Sequence, residues 1–312
     1  MLDLVSRQAF HWDLVLAPIP KDAPSIFLSE VLNEFLKLID DGEAVHLIQN
    51  ETCSVRIQQY RHDKKNDILF LLVQLADTKV TDPSFQMIES GELRSEPKED
   101  GEGIASSTFM AIDLQPANKK MPKYRVLCED VPGLGRTKLS PAFTHYGRLL
   151  SASIWKDAEG KERTSRPAFL FAPSSSTPLG KELEEKLLSQ IDLTQIRHKK
   201  GAFDEDGVLE EVERRIIIKV KAKVRGKDAI KLLDRVRAKA KDQNYANMKV
   251  TYKGQGAQRS QGFGTVREDI GDVMTLAVTD VTVQEPRSQC EPEIRDDVVA
   301  KLREIVLEER DT

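Results

Sequence analysis

The chain reads as an α+β protein of two domains, each a mixed or antiparallel sheet with packed helices. Two observations predict this. Short apolar runs with strand character recur through the chain, with only a few helical runs between them. The charge also changes sign sharply between regions. The expected divisions are a globular α+β domain at residues 1–150, a basic nucleic-acid-binding domain at 151–285, and a C-terminal helix at 286–312. That helix is expected to pack back on the first domain or at a dimer interface.

In chain order, Ala9–Leu16 reads as a strand ended by APIP. SIFLSEVLNEFLKLIDD, Ser25–Asp41, has helical periodicity in Ile26, Phe27, Val31, Leu32, Phe35, Leu36 and Ile39, closed by Gly42. Strand character follows at Ala44–Ile48, Cys53–Tyr60 and the strongly apolar Ile68–Ala76; SEPKEDGEG, Ser95–Gly103, reads as an acidic loop. Ser107–Leu114 and Tyr124–Glu129 fit strands, and a helix is expected from near Ser140 after the turn at Gly133 and Gly135. Pro167–Pro173 reads as a short strand, Gly180–Gln190 as a helix, and His198–Gly207 as a polar connection. The second domain then runs strand from Arg214, turn at Gly226 with Asp228 as N-cap, helix Ala229–Lys241, strand Met248–Lys253, glycine-rich loop Gly254–Gly264, and a long strand Val273–Val283. Ile294–Glu308 is an amphipathic helix with Ile294, Val298, Val299, Leu302, Ile305 and Val306 on one broad face.

Composition narrows the class. With 39% hydrophobic and 31% charged residues the chain has a globular balance. No window approaches the roughly 18 consecutive apolar residues of a membrane helix. The N-terminal MLDLVSRQAFHWD has no basic segment leading into an apolar run, which predicts a cytoplasmic protein. Cys53, Cys128 and Cys290 are widely spaced and odd in number, which suits a reducing compartment and argues against disulfides or a cysteine zinc site.

The net charge of −4 conceals a strong asymmetry. Arg214–Arg267 holds 16 Lys/Arg against 3 Asp/Glu, leaving 31 of the 47 basic and 48 of the 51 acidic residues elsewhere. A merely solvated face ordinarily mixes both signs; this one does not. Period-two alternation along RRIIIKVKAKVRG turns Ile216, Ile218, Val220, Ala222 and Val224 one way and Arg215, Lys219, Lys221, Lys223 and Arg225 the other, with Ile217 the exception on the cationic face. Lys227 follows in the turn. In the helix, Ala229, Leu232, Leu233, Val236 and Ala240 form the apolar stripe, with Lys231, Arg235 and Lys239 as an i, i+4 row on its flank. Lys249, Thr251 and Lys253 point outward from the next strand, and Gln255, Gln258, Arg259, Gln261 and Phe263 lie among the glycines that follow. A row of like charges at strand spacing repels itself unless a polyanion compensates it, and neutralising phosphates releases counterions. The abundance of Lys, with no Asn/Gln/Arg series along a recognition helix, predicts backbone contact rather than base reading. Duplex DNA, single strands and RNA are not separated by this argument, although Tyr245, Tyr252 and Phe263 are few for a base-stacking platform.

Enzymatic motifs are weak. GQGAQRSQGFG misplaces the third glycine of a dinucleotide fingerprint and precedes no helix, and GLGRTK lacks the spacing of a phosphate loop. His11, His46, His62, His145 and His198 show no ligand spacing, and DEDG at Asp204 lacks the order of a calcium loop. Glu210, Glu211 and Glu213 beside Lys219 raise the alternative of a metal-dependent nuclease, against a charged helical or linker face. No catalytic residue, metal ligand or cofactor is expected.

IIIKVKAKVRGKDAIKLLDRV, Ile216–Val236, resembles the lambda-type Rex A phage exclusion proteins, with a lysine-alternating strand, a short turn and a similar helix. STFMAID, Ser107–Asp113, and the Tyr124–Leu150 segment extend the resemblance more loosely. The resemblance implies a homodimer of two domains, one globular and one a mobile swivel, that binds double-stranded DNA without sequence specificity and acts in phage exclusion, antiviral defence or lysogeny control. It also implies a membrane-protein partner encoded nearby and a conformational change on binding. The chain departs from the family in its length, its SEPKEDGEG loop and its Gly254–Gly264 segment. The alternatives are the nuclease and a protein-interaction subunit of a defence complex.

Overall fold

The computed structural model describes residues 3–117, 121–200, 210–253, 258–266 and 270–310. Its elements are β1 (Ser6–Ile19), α1 (Leu28–Asp40), β2 (Val45–Ile48), β3 (Cys53–Asp63), β4 (Ile68–Asp77), β5 (Ser84–Gln86), β6 (Leu93–Ser95), β7 (Ile104–Asp113), β8 (Lys123–Glu129), α2 (Arg136–Leu149), β9 (Ser153–Lys156) and β10 (Glu162–Pro173). The chain continues through β11 (Ser175–Pro178), α3 (Leu179–Glu185), β12 (Leu187–Lys200), β13 (Glu210–Val224), α4 (Gly226–Asp242), β14 (Asn247–Lys253), β15 (Gln258–Gly264) and β16 (Met274–Leu276). It ends with β17 (Val278–Thr282) and α5 (Asp296–Arg310). The strand pairings are antiparallel throughout, and the class is α+β. Among the described residues, no helix is long and apolar enough to cross a membrane.

The chain divides into two units, residues 1–174 with 278–312, and residues 175–277. The expected divisions lay at 150 and 285; residues 151–174 and 278–285 group instead with the first unit. The reason is pairing: β10 and β17 both hydrogen-bond to β1.

In the first unit the sheet runs β2-β3-β4-β7-β8-β1-β10-β9, with β17 also on β1. β4 reads ILFLLVQLAD because both of its faces are covered. Ile68, Phe70 and Leu72 meet Val298, Val299, Leu302, Ile305 and Val306 of α5, together with Phe109, Ala111 and Leu127. Arg303 to Asp63 (2.7 Å) and Arg310 to Asp113 (2.6 Å) hold that helix at its middle and its C-terminal end. The opposite face receives α1 and α2. There the Tyr124 hydroxyl accepts a hydrogen bond from the first helical N–H of α1, Leu28, at 2.8 Å, in place of an absent side-chain cap. Phe143 of α2 lies edge-on to Phe171 at 5.0 Å, and Phe35 of α1 stacks on Phe169 at 5.5 Å.

Several elements differ from the sequence expectation. α2 begins at Arg136 rather than near Ser140, with Pro141 inside it; a proline is most at home in a first turn, which is why the sequence suggests the later start. A small hairpin, β5–β6, precedes the acidic loop. Val273–Val283 is not one strand: β16 pairs with β11 in the second unit, whereas β17 pairs with β1 in the first.

The strongest tie in the first unit is buried. Arg287 forks onto Glu129 with both bonds at 2.6 Å, and neither side chain is exposed. Removing one partner of such a pair strands the other charge at low dielectric. Glu129→Ala is therefore expected to lower the unfolding free energy by about 3–5 kcal/mol, read from the denaturant midpoint. An unchanged midpoint would show that the pair holds nothing. Gly147 of α2 is the tightest backbone approach: an added Cβ would lie 2.2 Å from the Pro167 carbonyl oxygen. Gly147→Ala must push α2 off β10 and is expected to cost about 1–3 kcal/mol in the same assay.

Candidate nucleic-acid interface

The second unit is built on a four-stranded antiparallel sheet, β13-β12-β14-β15. One face carries Leu188, Ile191, Leu193, Met248, Val250 and Tyr252, which form a core with Leu179 and Leu183 of α3 and Ala229, Leu233 and Ala240 of α4. Leu232 and Val236 of α4 and Ile218, Val220 and Val224 of β13 are partly buried against it. The other face follows from the register: Arg215 and Lys219 on β13, Gln190, Asp192 and Thr194 on β12, and Lys249, Thr251 and Lys253 on β14.

The expected alternation of β13 holds only in part. Ile216 is 40% exposed and Ala222 is exposed as well, although both belong to the apolar set; Ile217, on the cationic face as expected, is 55% exposed. Two causes act. Among the described residues β13 pairs with β12 alone, so it is an edge strand. In addition, fifteen strand residues extend over roughly 50 Å, while the seventeen of α4 reach only about 25 Å, so the helix cannot cover the whole strand. The ladder also breaks between Gln190↔Lys219 and Leu188↔Val224, leaving Lys221, Ala222 and Lys223 outside regular pairing.

Several other expectations are corrected. Glu210–Glu213 do not form a helical or linker face, because their backbone is part of strand β13. Gly254–Gly264 is not a loop throughout: Gln258–Gly264 is β15, paired along β14, while Gly254–Ala257, with Gln255, lies outside the described residues. Gln261 and Phe263 oppose Val250 and Met248, and Phe263 is partly buried against the core. Arg259 belongs to β15 by its backbone, opposite Tyr252; its side chain lies outside the described residues. β12 occupies Leu187–Lys200, where a helix to Gln190 and a polar connection from His198 were expected; residues 201–207 of that connection lie outside the described residues. α4 starts at Gly226 with Arg225 as its N-cap, so Asp228 sits in the first turn, where it complements the helix dipole, rather than at the cap.

Arg215, Lys219, Lys221, Lys223, Arg225, Lys227, Lys231, Arg235, Lys239, Lys249 and Lys253 are exposed. Arg215 donates to Asp192, which also accepts from Gln190 at 2.6 Å. Among the described residues, Lys219, Lys221, Lys223, Arg225, Lys227, Lys231, Arg235, Lys239 and Lys253 have no ion pair. By contrast Arg237 turns inward, 3.8 Å from Asp234, and donates to the Thr265 carbonyl at 3.3 Å. The cations do not share one plane. α4 lies on the core side, so Lys231, Arg235 and Lys239 are on the opposite side of the sheet from Lys249 and Lys253. The continuous strip runs along the free edge: Lys219, Lys221 and Lys223 of β13, then Arg225 and Lys227. From there a groove lined by Val224, Asp228, Leu232 and Asp234 leads to Lys231 and Arg235.

Among the described residues no three His, Cys, Asp or Glu side chains are placed to hold a metal ion. Glu213 and Lys219 are six residues apart on one strand, about 20 Å, so they do not converge on a common atom.

Asp192 shows how the sheet handles a buried acid. Burial works to raise its carboxyl, but hydrogen bonds from Arg215 and Gln190 and the charges of Arg215 and Lys249 prevail, holding it below its ordinary value. A depressed carboxyl stabilises the fold above its unfolded pKa of about 3.9, and that contribution is lost as pH falls through the lower folded value. Asp192→Asn is expected to flatten the loss of stability on acidification below about pH 4, measured as melting temperature against pH. A parallel offset with unchanged acid limb would count against it. Comparison with family models, curated proteins and solved structures finds no match to this chain.

Proposed function

We propose that the chain is a sequence-independent DNA-binding protein, contacting the phosphate backbone of a duplex through the free edge of β13 and the adjoining flank of α4. The observation that carries this reading is the run of surface cations from Lys219 to Lys239 that, Arg237 apart, have no ion pair among the described residues. Alternate residues of a strand lie about 6.6 Å apart, so each neighbouring like pair costs about 0.6 kcal/mol in unscreened water. A polyanion reverses the sign of that cost and releases counterions. Tyr245 and Tyr252 are buried and Phe263 is partly buried against the core, so the described aromatics of the unit make a poor stacking platform for unpaired bases. Membership of a phage-exclusion or defence system, a homodimer, movement of a swivel domain and a membrane-protein partner belong to the same proposal and rest on the family resemblance; a cytoplasmic location belongs to it too and rests on the N-terminal segment and the cysteines.

One observation favours a second reading. β13 is a free edge, and lysines on a free edge prevent pairing with other chains. The two readings separate in one experiment, a gel shift with two unrelated duplexes of equal length. The double variant Lys221→Glu with Lys223→Glu is expected to weaken both complexes at least about tenfold and to lower the salt slope by about 1.8, at 0.9 per lost phosphate contact. Unaltered binding, or discrimination between the duplexes, overturns the backbone reading. Self-association of a Lys221→Gln, Lys223→Gln variant with unaltered binding would leave the cations as edge protection.

A further inference from the structure

The histidines, scattered in sequence, are not scattered in the fold. His46 of β2 and His145 of α2 stack with ring centroids 4.5 Å apart and planes 25° from parallel. They form part of a cavity of about 550 Å³ in the first unit, lined also by Arg136, Thr137, Ser140, Pro141, Thr144, Arg148 and Phe171. Thr137, Ser140, Pro141, Thr144, His145 and Arg148 are spaced three, four and seven apart, so they form one stripe of α2. No carboxylate lines the cavity. Burial, then His145, then Arg148 hold the His46 imidazole below its ordinary value, with no acid opposing them.

The polar groups differ in what is left to offer. Thr144 gives its hydroxyl proton to the Phe169 carbonyl at 3.0 Å, and Arg136 is directed to the Phe171 carbonyl at 3.4 Å. The two imidazoles and the exposed Arg148 make no hydrogen bond or ion pair among the described residues. Arg136 lies about 18 Å along the helix from Arg148, too far for one small anion to touch both. The cluster is therefore local, with a lip of Pro141 and Phe171 beyond it.

We propose that this cavity binds a phosphomonoester, with the phosphate seated against His46, His145 and Arg148 and the organic part lying along Pro141 and Phe171. A tetrahedral dianion accepts from all three cationic or neutral donors at once and removes the repulsion among them, which a single chloride cannot do with the same geometry. The phosphate has two sources, a free nucleotide-like metabolite or the terminal phosphate of a nucleic-acid strand.

The test is a titration of the folded full chain with inorganic phosphate at constant ionic strength, following the histidine ring protons by NMR. The His46 and His145 signals are expected to move together and saturate while those of His11 and His62 stay. Arg148→Ala is expected to weaken the site at least about tenfold, and Arg148→Lys, which preserves the charge, to weaken it less. Non-saturating shifts, equal shifts of all five histidines, or an unchanged affinity in Arg148→Ala would overturn the proposal. A nucleoside 5′-monophosphate and a 5′-phosphorylated oligonucleotide, each against its unphosphorylated counterpart, separate the sources. Tighter binding of the phosphorylated oligonucleotide points to a strand end, and tighter binding of the monophosphate to a free ligand. No preference for either phosphorylated form overturns the proposal. Repeating the titration in the Lys221→Glu, Lys223→Glu background keeps this site distinct from the basic surface, since a failure of DNA binding there leaves the phosphate shifts intact.

Discussion

The first unit depends on one buried pair. Glu129 ends β8, and Arg287 lies just beyond β17, so the bond joins positions 158 residues apart. Around it the arrangement is crowded: the Phe109 N–H donates to the same carboxylate at 3.3 Å, and the Arg287 guanidinium sits 5.3 Å from the Phe109 ring. Arg7 is buried nearby and donates to the Ser288 carbonyl at 2.6 Å. Burial foremost, then repulsion from Arg287, lowers its affinity for its proton, with Glu129 and Glu291 opposing. Two arginines and two glutamates thus form a buried charge cluster in which the repulsion between Arg7 and Arg287 is offset by Glu129 and Glu291. The segment that leads into α5 is anchored here. Through α5, so is one covering of the central strand β4.

The second unit obeys a different constraint. Arg237 apart, the cations of β13 and α4 sit outside, and Lys219, Lys221, Lys223, Arg225, Lys227, Lys231, Arg235 and Lys239 have no ion pair among the described residues. Asp192 is the exception that shows the rule: one acid within the sheet engages Arg215 and Gln190 and feels Lys249, and beyond it like charges face water. Screening makes such a surface tolerable at physiological salt, where the Debye length is about 8 Å. It also makes the surface responsive to any polyanion that displaces the small ions.

Local periodicity made part of this legible in the sequence. α1 and β4 announce themselves because every residue of the pattern falls on a face that is buried, and α4 because its stripe has a sheet to meet. β12 does not. Its ladder slips at Ser189, so the apolar residues Leu188, Ile191 and Leu193 are spaced three and two apart, and the first interval imitates a helix. The glycines of β15 hide a strand in the same way, since they have no side chains to alternate. The charge of the basic surface was readable residue by residue, but its division between two sides of a sheet was not, because that division depends on where α4 lies. The pairing of His46 with His145 and of Glu129 with Arg287 was beyond reach for a simpler reason. Nothing local links residues that only the completed sheet makes neighbours.

The way residues 175–277 interrupt the first unit has a further consequence for chain entropy and order of synthesis. Pro173 lies opposite Trp12 and Val278 opposite Phe10, so the backbone leaves and rejoins one strand within about 7 Å of itself. The interrupting segment is itself closed at its base, where β11 and β16 pair. Once folded, it presents the rest of the chain with a connection as short as a hairpin turn, and the loop-closure cost of bringing β17 to β1 shrinks accordingly. β1, made first on the ribosome, receives its last partner only after the intervening segment exists. A segment that folds on emergence turns that longest-range pairing into a nearly local one.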